Sequence, residues 1–226
     1  MHVLGDFRRI ILLTLAITPS GALSPGPLSA SAVAVGALLG VTGGLVIALG
    51  HMIIELPYII LIYKFTAGLR SILGKTRLAM NTVITLFLLY FSYMLLQDSI
   101  RVLNGGNLGS SSGVIASSYL GAFIIGIALT GFNVYFLVWW LTVGYPLIEE
   151  ASRLGVRGLT VMYTSHVWMD YVWLAILSAG GGASRLLGST GYAVLLVILA
   201  LILIVFALKI AVDTIRQLIA KTSLLK

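Results

Sequence analysis

Six long apolar segments, separated by short charged or small-residue stretches, constrain this chain more than any other feature. They cover Ile10–Val35, Val41–Tyr63, Leu78–Leu96, Val114–Leu141, Leu159–Leu177 and Gly191–Ile210. Each is near or above the roughly 20 residues that a helix needs to cross a hydrocarbon core. In lipid, a segment must satisfy its own backbone groups, so these segments are expected to be helices. The strict alternation of barrel strands is absent. Composition agrees: apolar types make up 59 % of the 226 residues and charged types only 9 %, against about 25 % charged in a soluble domain. One small soluble core could not hide that much apolar surface.

The first segment has some marks of a secretory leader, with Arg8 and Arg9 before an apolar run and small residues at Ser20–Ser24. The run resumes after Pro27 and five more segments follow, so it is read as a broken transmembrane helix. The net charge of +7 is carried between the apolar runs rather than on a nucleic-acid-binding face. With the N-terminus in the cytoplasm, Arg8, Arg9, Lys64, Arg70, Lys75, Arg77, Arg153, Arg157, Lys209, Arg216, Lys221 and Lys226 fall inside. Only Arg101 and Arg185 fall outside. That bias predicts both termini in the cytoplasm. The chain has no cysteine, which excludes disulfides and thiolate chemistry.

Residues 104–112 are rich in Gly, Asn and Ser and read as an extracytoplasmic linker. They divide the chain into three-helix units over residues 1–103 and 113–226. An odd number of spans per unit makes the second unit enter the membrane from the opposite side, so the expected architecture is two inverted repeats. The middle spans correspond. His51 and Glu55 in the first unit match His166 and Asp170 in the second, each a His followed four residues later by an acid.

Residues i and i+4 share a helix face, and ionisable groups at mid-bilayer cost several kcal/mol unless they face a cavity or a partner. Histidine, with an ordinary pKa of about 6.5, suits proton exchange. Three uses fit His51, Glu55, His166 and Asp170. They are a proton-coupled substrate site, polar glue between helices, or a divalent-metal site of two imidazoles and two carboxylates. Pro25, Gly26 and Pro27 should break the first span, since proline removes backbone donors. The freed groups and half-helix N-terminus could then meet a substrate. Asn133, beside Gly131, is the matching position in the fourth span. Gly36, Gly40, Gly44 and Gly50 should let helices pack closely. Trp139, Trp140 and Tyr145 read as an interfacial aromatic belt. No nucleophile motif, P-loop or dinucleotide fingerprint is present.

Pro25-Gly26-Pro27 followed at spacing by Gly40, Gly44 and Gly50 resembles the N-terminal signature of the LysE-type (LysE/RhtB) exporter family. The resemblance implies export of amino acids, or in related branches of metal cations, driven by the proton gradient. Two positions depart from it: Ile54 stands where a further glycine often occurs, and Val134 follows Asn133 where the family often has proline.

The resulting expectation is an all-α, multi-pass protein of the cell membrane, not an enzyme. It would export amino acids or similar small solutes in exchange for protons. Pro25, Gly26, Pro27 and Asn133 would bind substrate, and His51, Glu55, His166 and Asp170 would couple protons. A divalent-cation exporter and a non-transporting membrane subunit are the alternatives. No cofactor or resident metal is expected. The expected partners are substrate, protons and lipid, with a homodimer as a further option and no nucleic acid. A cysteine introduced at Ser111 should be labelled by an impermeant maleimide only from outside the cell; labelling only from the cytoplasm would reverse the topology.

Overall fold

The computed structural model describes residues 2–23, 26–105, 117–183, 186 and 188–223. It also leaves out the side chains of 2–5, 66–75, 77, 217, 218 and 220–223. Every regular element among the described residues is helical: α1 (His2–Ile17), α2 (Pro19–Ala22), α3 (Pro27–Leu39), α4 (Val41–Leu103), α5 (Tyr119–Gly131), α6 (Val134–Leu141), α7 (Tyr145–Ser152), α8 (Gly155–Ala183) and α9 (Gly188–Ser223).

Three helical stretches are long and apolar enough to cross a membrane: Val41–Phe65, Leu78–Leu103 and Gly188–Arg216. Two bent pairs raise the number to five if each is one span. Asp6–Ala22 and Pro27–Leu39 meet at 75°, and Tyr119–Gly131 and Val134–Leu141 at 55°. Both bends have local causes. Pro19 and Pro27 each occupy a first helical position, where a missing N–H costs nothing. Gly26 between them is extended. In the second pair, the Asn133 side chain caps α6 by accepting from the Tyr135 and Phe136 amides at 3.1 and 3.4 Å. That cap starts a new helix instead of continuing α5.

Two expectations are altered. The basic stretch Lys64–Arg77, between two expected spans, is helical rather than irregular: α4 is two helical segments that meet at a kink at Phe65 (φ −140°, ψ 40°), and the second begins within that stretch. The fifth expected span lies within α8, whose 29 residues reach about 43 Å at 1.5 Å per residue. Length suffices, but Thr160, Thr164, Ser165, His166 and Asp170 interrupt its apolar character. It is the polar helix of the bundle. Most of the 104–112 linker, and Pro25, lie outside the described residues.

Packing follows helical stripes. Buried residues on α8 include Gly158, Met162, His166, Asp170, Leu174 and Ser178, one every fourth position. On α4, Ile47, His51, Glu55, Ile59 and Ile62 form the matching stripe. Two apolar clusters result. One gathers Ala34, Ile47, Leu88, Ile125, Leu174 and Leu203, and the other gathers Ile10, Ile59, Trp140, Leu147 and Met162. Along both α4 and α8, the His and acid residues fall between the positions that feed one cluster and those that feed the other.

Glycines bring the backbones together. A methyl group at Gly36 would overlap the Ser178 backbone, one at Gly44 the Leu174 carbonyl, and one at Gly50 the Phe123 carbonyl. Gly126 and Gly181 would strike the carbonyls of Ile47 and Val33 in the same way. Gly40, at φ 65°, separates α3 from α4 in a conformation that favours glycine. At one end of the bundle, Glu150 accepts Arg9 of α1 and Arg153 at the α7–α8 turn, both at 3.2 Å.

Gly126→Ala should therefore destabilise the folded protein by about 1–3 kcal/mol, the usual cost of overpacking. Gly180→Ala, where an added methyl meets nothing within 4 Å, should leave thermal stability in detergent unchanged or slightly raised. Equal melting temperatures for the two variants would contradict the close α4–α5 contact.

Candidate functional site

The stripes on α4 and α8 face each other and bring the two His-acid pairs into one cluster. His51 Nε2 lies 3.3 Å from Glu55 Oε1 and 3.9 Å from Asp170 Oδ2. His166 Nε2 lies 3.1 Å from Glu55 Oε1 and 3.3 Å from Asp170 Oδ2. Each imidazole thus reaches both carboxylates, its own and the one on the opposite helix. All four side chains are buried, Glu55 at 1 % exposure.

Sequence reasoning missed the surrounding groups. Thr130 Oγ1 is 2.8 Å from His51 Nδ1, and Thr18 Oγ1 is 2.9 Å from His166 Nδ1. Trp140 Nε1 donates to Glu55 Oε1 at 3.1 Å, and its ring meets His166 edge-on at 4.8 Å. Phe136 meets His51 at 5.2 Å. Trp140 is fully buried, so the interfacial-belt reading does not hold for it. The bend before α6 turns this tryptophan inward.

Even with these donors, Glu55 Oε2 and Asp170 Oδ2 are buried and accept no hydrogen bond from a described residue. Asp170 Oδ2 is near both imidazoles but out of line for hydrogen bonding. The Tyr163 hydroxyl is buried next to Glu55, within reach of its carboxylate but outside good hydrogen-bond geometry. Buried oxygens without donors are costly. The cluster thus leaves room for a further donor beside those that the described residues supply. Ligand atoms of His51, Glu55 and Asp170 lie within 4.8 Å of one another, a spacing that a divalent cation could also use.

The four side chains line a cavity of about 410 Å³, within the usual range for small-molecule sites. Gly26 and Pro27 from the first bend and Asn133 from the second line the same space. So do Trp139, Trp173 and Lys209. All the expected site residues among those described thus border one cavity. Asn133 differs in detail, because its carbonyl oxygen is engaged in capping α6.

Lys209 stands apart in charge. Its Nζ lies 5.8 Å from the Tyr135 ring centroid, and the Tyr135 hydroxyl donates to Asp213 at 2.8 Å. The cavity therefore carries an acid–imidazole wall and a separate cation. No signal in the sequence linked Lys209 to the site, because it lies near the end of the last apolar segment, where basic residues normally mark the interface.

No curated protein and no solved structure matches the chain. A family model, LysE type translocator, matches residues 19–214. That span runs from the first bend through both His-acid pairs to α9, and the apolar helices make the chain an integral membrane protein. The chain belongs to the LysE type translocator family.

Proposed function

We propose that this protein is a secondary active exporter of amino acids or closely similar zwitterions, driven by exchange for protons. It would be a multi-pass protein of the cell membrane, with six spans in two inverted three-helix halves and both termini in the cytoplasm. On this reading α8 is the polar fifth span, shielded by its neighbours.

One observation carries the proposal: the buried His-acid cluster opens on a cavity and holds two carboxylate oxygens without a well-aligned donor among the described residues. A proton or a substrate ammonium group relieves the same deficit, so the two compete for one place. That competition is the elementary requirement for exchange, since occupancy by one cargo must exclude the other. Lys209 and the N-terminal end of α3 on the same cavity offer the opposite charge, suited to a carboxylate. The corresponding contacts His51–Thr130 and His166–Thr18, each linking a middle span to the bent span of the other unit, support the inverted-repeat reading.

Metal-cation cargo is the second reading, favoured by the spacing of His51, Glu55 and Asp170. A thermal-shift screen of purified protein against amino acids and divalent cations separates the two, because a ligand of the native state raises its apparent stability by mass action. Stabilisation by cations alone would favour the metal reading.

Glu55→Gln with Asp170→Asn keeps size while fixing the neutral form. In proteoliposomes this double variant should retain substrate-for-substrate exchange. It should lose net efflux against a gradient, and with it the dependence on an imposed proton gradient. Coupled efflux at the wild-type level would eliminate these acids as proton carriers. Lys209→Met should raise the KM for an amino acid about tenfold or more, equal to about 1.4 kcal/mol. An unchanged KM would remove Lys209 from substrate recognition.

A further inference from the structure

We propose that Thr18 and Thr130 are positioning residues that tie the two helix bends to the His-acid cluster, one for each histidine. The inference rests on the proton-exchange reading and goes beyond it by naming how movement at the bends reaches the cluster.

Both threonines are buried, at 0 % and 1 % exposure, and both stand at the end of a helix that then breaks. Thr18 immediately precedes Pro19. Its carbonyl accepts the Gly21 and Ala22 amides at 3.0 and 2.9 Å, which closes the short turn α2. Thr130 lies in the last turn of α5, and its carbonyl accepts the Asn133 amide at 3.2 Å. Each residue thus holds the first turn of a bend with its backbone and a histidine Nδ1 with its side chain. The partner is always the histidine of the other middle span: Thr18 with His166 on α8, and Thr130 with His51 on α4.

Residue type matters. A β-branched side chain has few rotamers, so the hydroxyl position follows the backbone. A hydroxyl can donate to a bare Nδ1 or accept from a protonated one. It therefore serves the histidine in either state, provided the helix end stays in place. Fixing Nδ1 also aims Nε2 at the two acids. The contacts are 2.8 and 2.9 Å long, and a shift of about 1 Å at a helix end would carry them past hydrogen-bonding range. Gly26, Pro27 and Asn133 in the same bends line the cavity, so a substrate entering it would meet them. Displacing a bend would release a histidine, and each released histidine changes what both acids can hold.

Other groups also face the histidines and would contribute to any pH response. Glu55 comes from α4, Asp170 and the Tyr163 hydroxyl from α8, and Trp140 from α6. Lys209 and Asp213 stand further off on α9, with Tyr135 between them. Unlike Glu55, Asp170, Lys209 and Asp213, the threonines carry no charge, so an effect of their removal is not a lost charge.

The test compares Thr18→Val and Thr130→Val with Thr18→Ser and Thr130→Ser in proteoliposomes loaded with a 14C-labelled mixture of L-amino acids. Valine keeps the shape and removes the hydroxyl. The valine variants should keep amino-acid exchange within about threefold of wild type while net proton-driven efflux falls about tenfold or more. The pH midpoint of efflux should move by about half a unit or more, and the serine variants should restore both. An unmoved midpoint in the valine variants, or serine variants that behave like valine, overturns the proposal. A measurement without variants covers failure to fold: the 15N shifts of Nδ1 in His51 and His166 of the wild-type protein should change when unlabelled L-amino acids are added. Unchanged shifts overturn the proposal. If Glu55→Gln with Asp170→Asn keeps coupled efflux, the exchange reading itself has failed. If that variant loses coupling while both valine variants behave as wild type, only the role of the threonines has failed.

Discussion

Two imidazoles and two carboxylates are buried together beside one cavity, and much of the architecture serves to make that arrangement tolerable. At low dielectric an unpaired charge is expensive, and a half-satisfied polar network more so than an apolar core. The protein answers with reciprocity: each histidine reaches both acids, each Nδ1 has its own hydroxyl, and Trp140 supplies one further donor. Those partners come from the α1–α2 junction, α4, α5, α6 and α8, so the cluster joins elements from along the whole described chain. The apolar residues above and below it on α4 and α8 form two separate cores rather than one.

The stabilisation is deliberately incomplete in a physical sense. Glu55 Oε2 and Asp170 Oδ2 have no donor among the described residues, and they border the cavity where the two helix bends also arrive. A fully satisfied network would be a structural pin with nothing left to bind. On the proposed reading, a network short by one or two donors would take a cation, and the cavity would give access to it. Whether that demand is met by a proton, an ammonium group or a metal ion is a matter of size and coordination. The electrostatic deficit itself is common to all three.

The sequence made some of this legible and hid the rest, for reasons that differ from residue to residue. His51–Glu55 and His166–Asp170 stand out because ionisable groups are rare in apolar segments and their spacing places each pair on one face. Gly26 and Pro27 stand out because proline cannot continue a helix. Thr18 and Thr130 do not, since a membrane threonine usually returns its hydroxyl to its own helix and carries no pattern. Trp140 sits at an apolar segment's end, where aromatic residues belong to the interface, and only the bend at Asn133 turns it inward. The charged run after Lys64 looks like a loop by composition, yet it contains no proline, and helix resumes directly after the kink at Phe65. Leu159–Leu177 reads as a span in the sequence, but residues such as Thr160 and Asp170 leave α8 less apolar than the stretches long and apolar enough to cross a membrane.

The glycine contacts decide which pieces of the molecule can slide past one another. Gly50 and Gly126 press α4 against α5, while Gly36, Gly44 and Gly181 press α3 and α4 against α8. In every case the touching backbones come from opposite sides of the Gly105 turn. The two sequence halves are therefore interlocked like the fingers of clasped hands, and they cannot separate as two shells without tearing those seams. What stays together is a frame of α3, α4, α5 and α8 drawn from both halves. The segments outside that frame, α1–α2 before one bend and α6 after the other, show no such backbone seam with it among the described glycines; the ring contact of Trp139 with Gly21 joins them to each other. Side chains hold them to the frame instead, through Ile10 and Trp140 in the second core and the Trp140–Glu55 hydrogen bond.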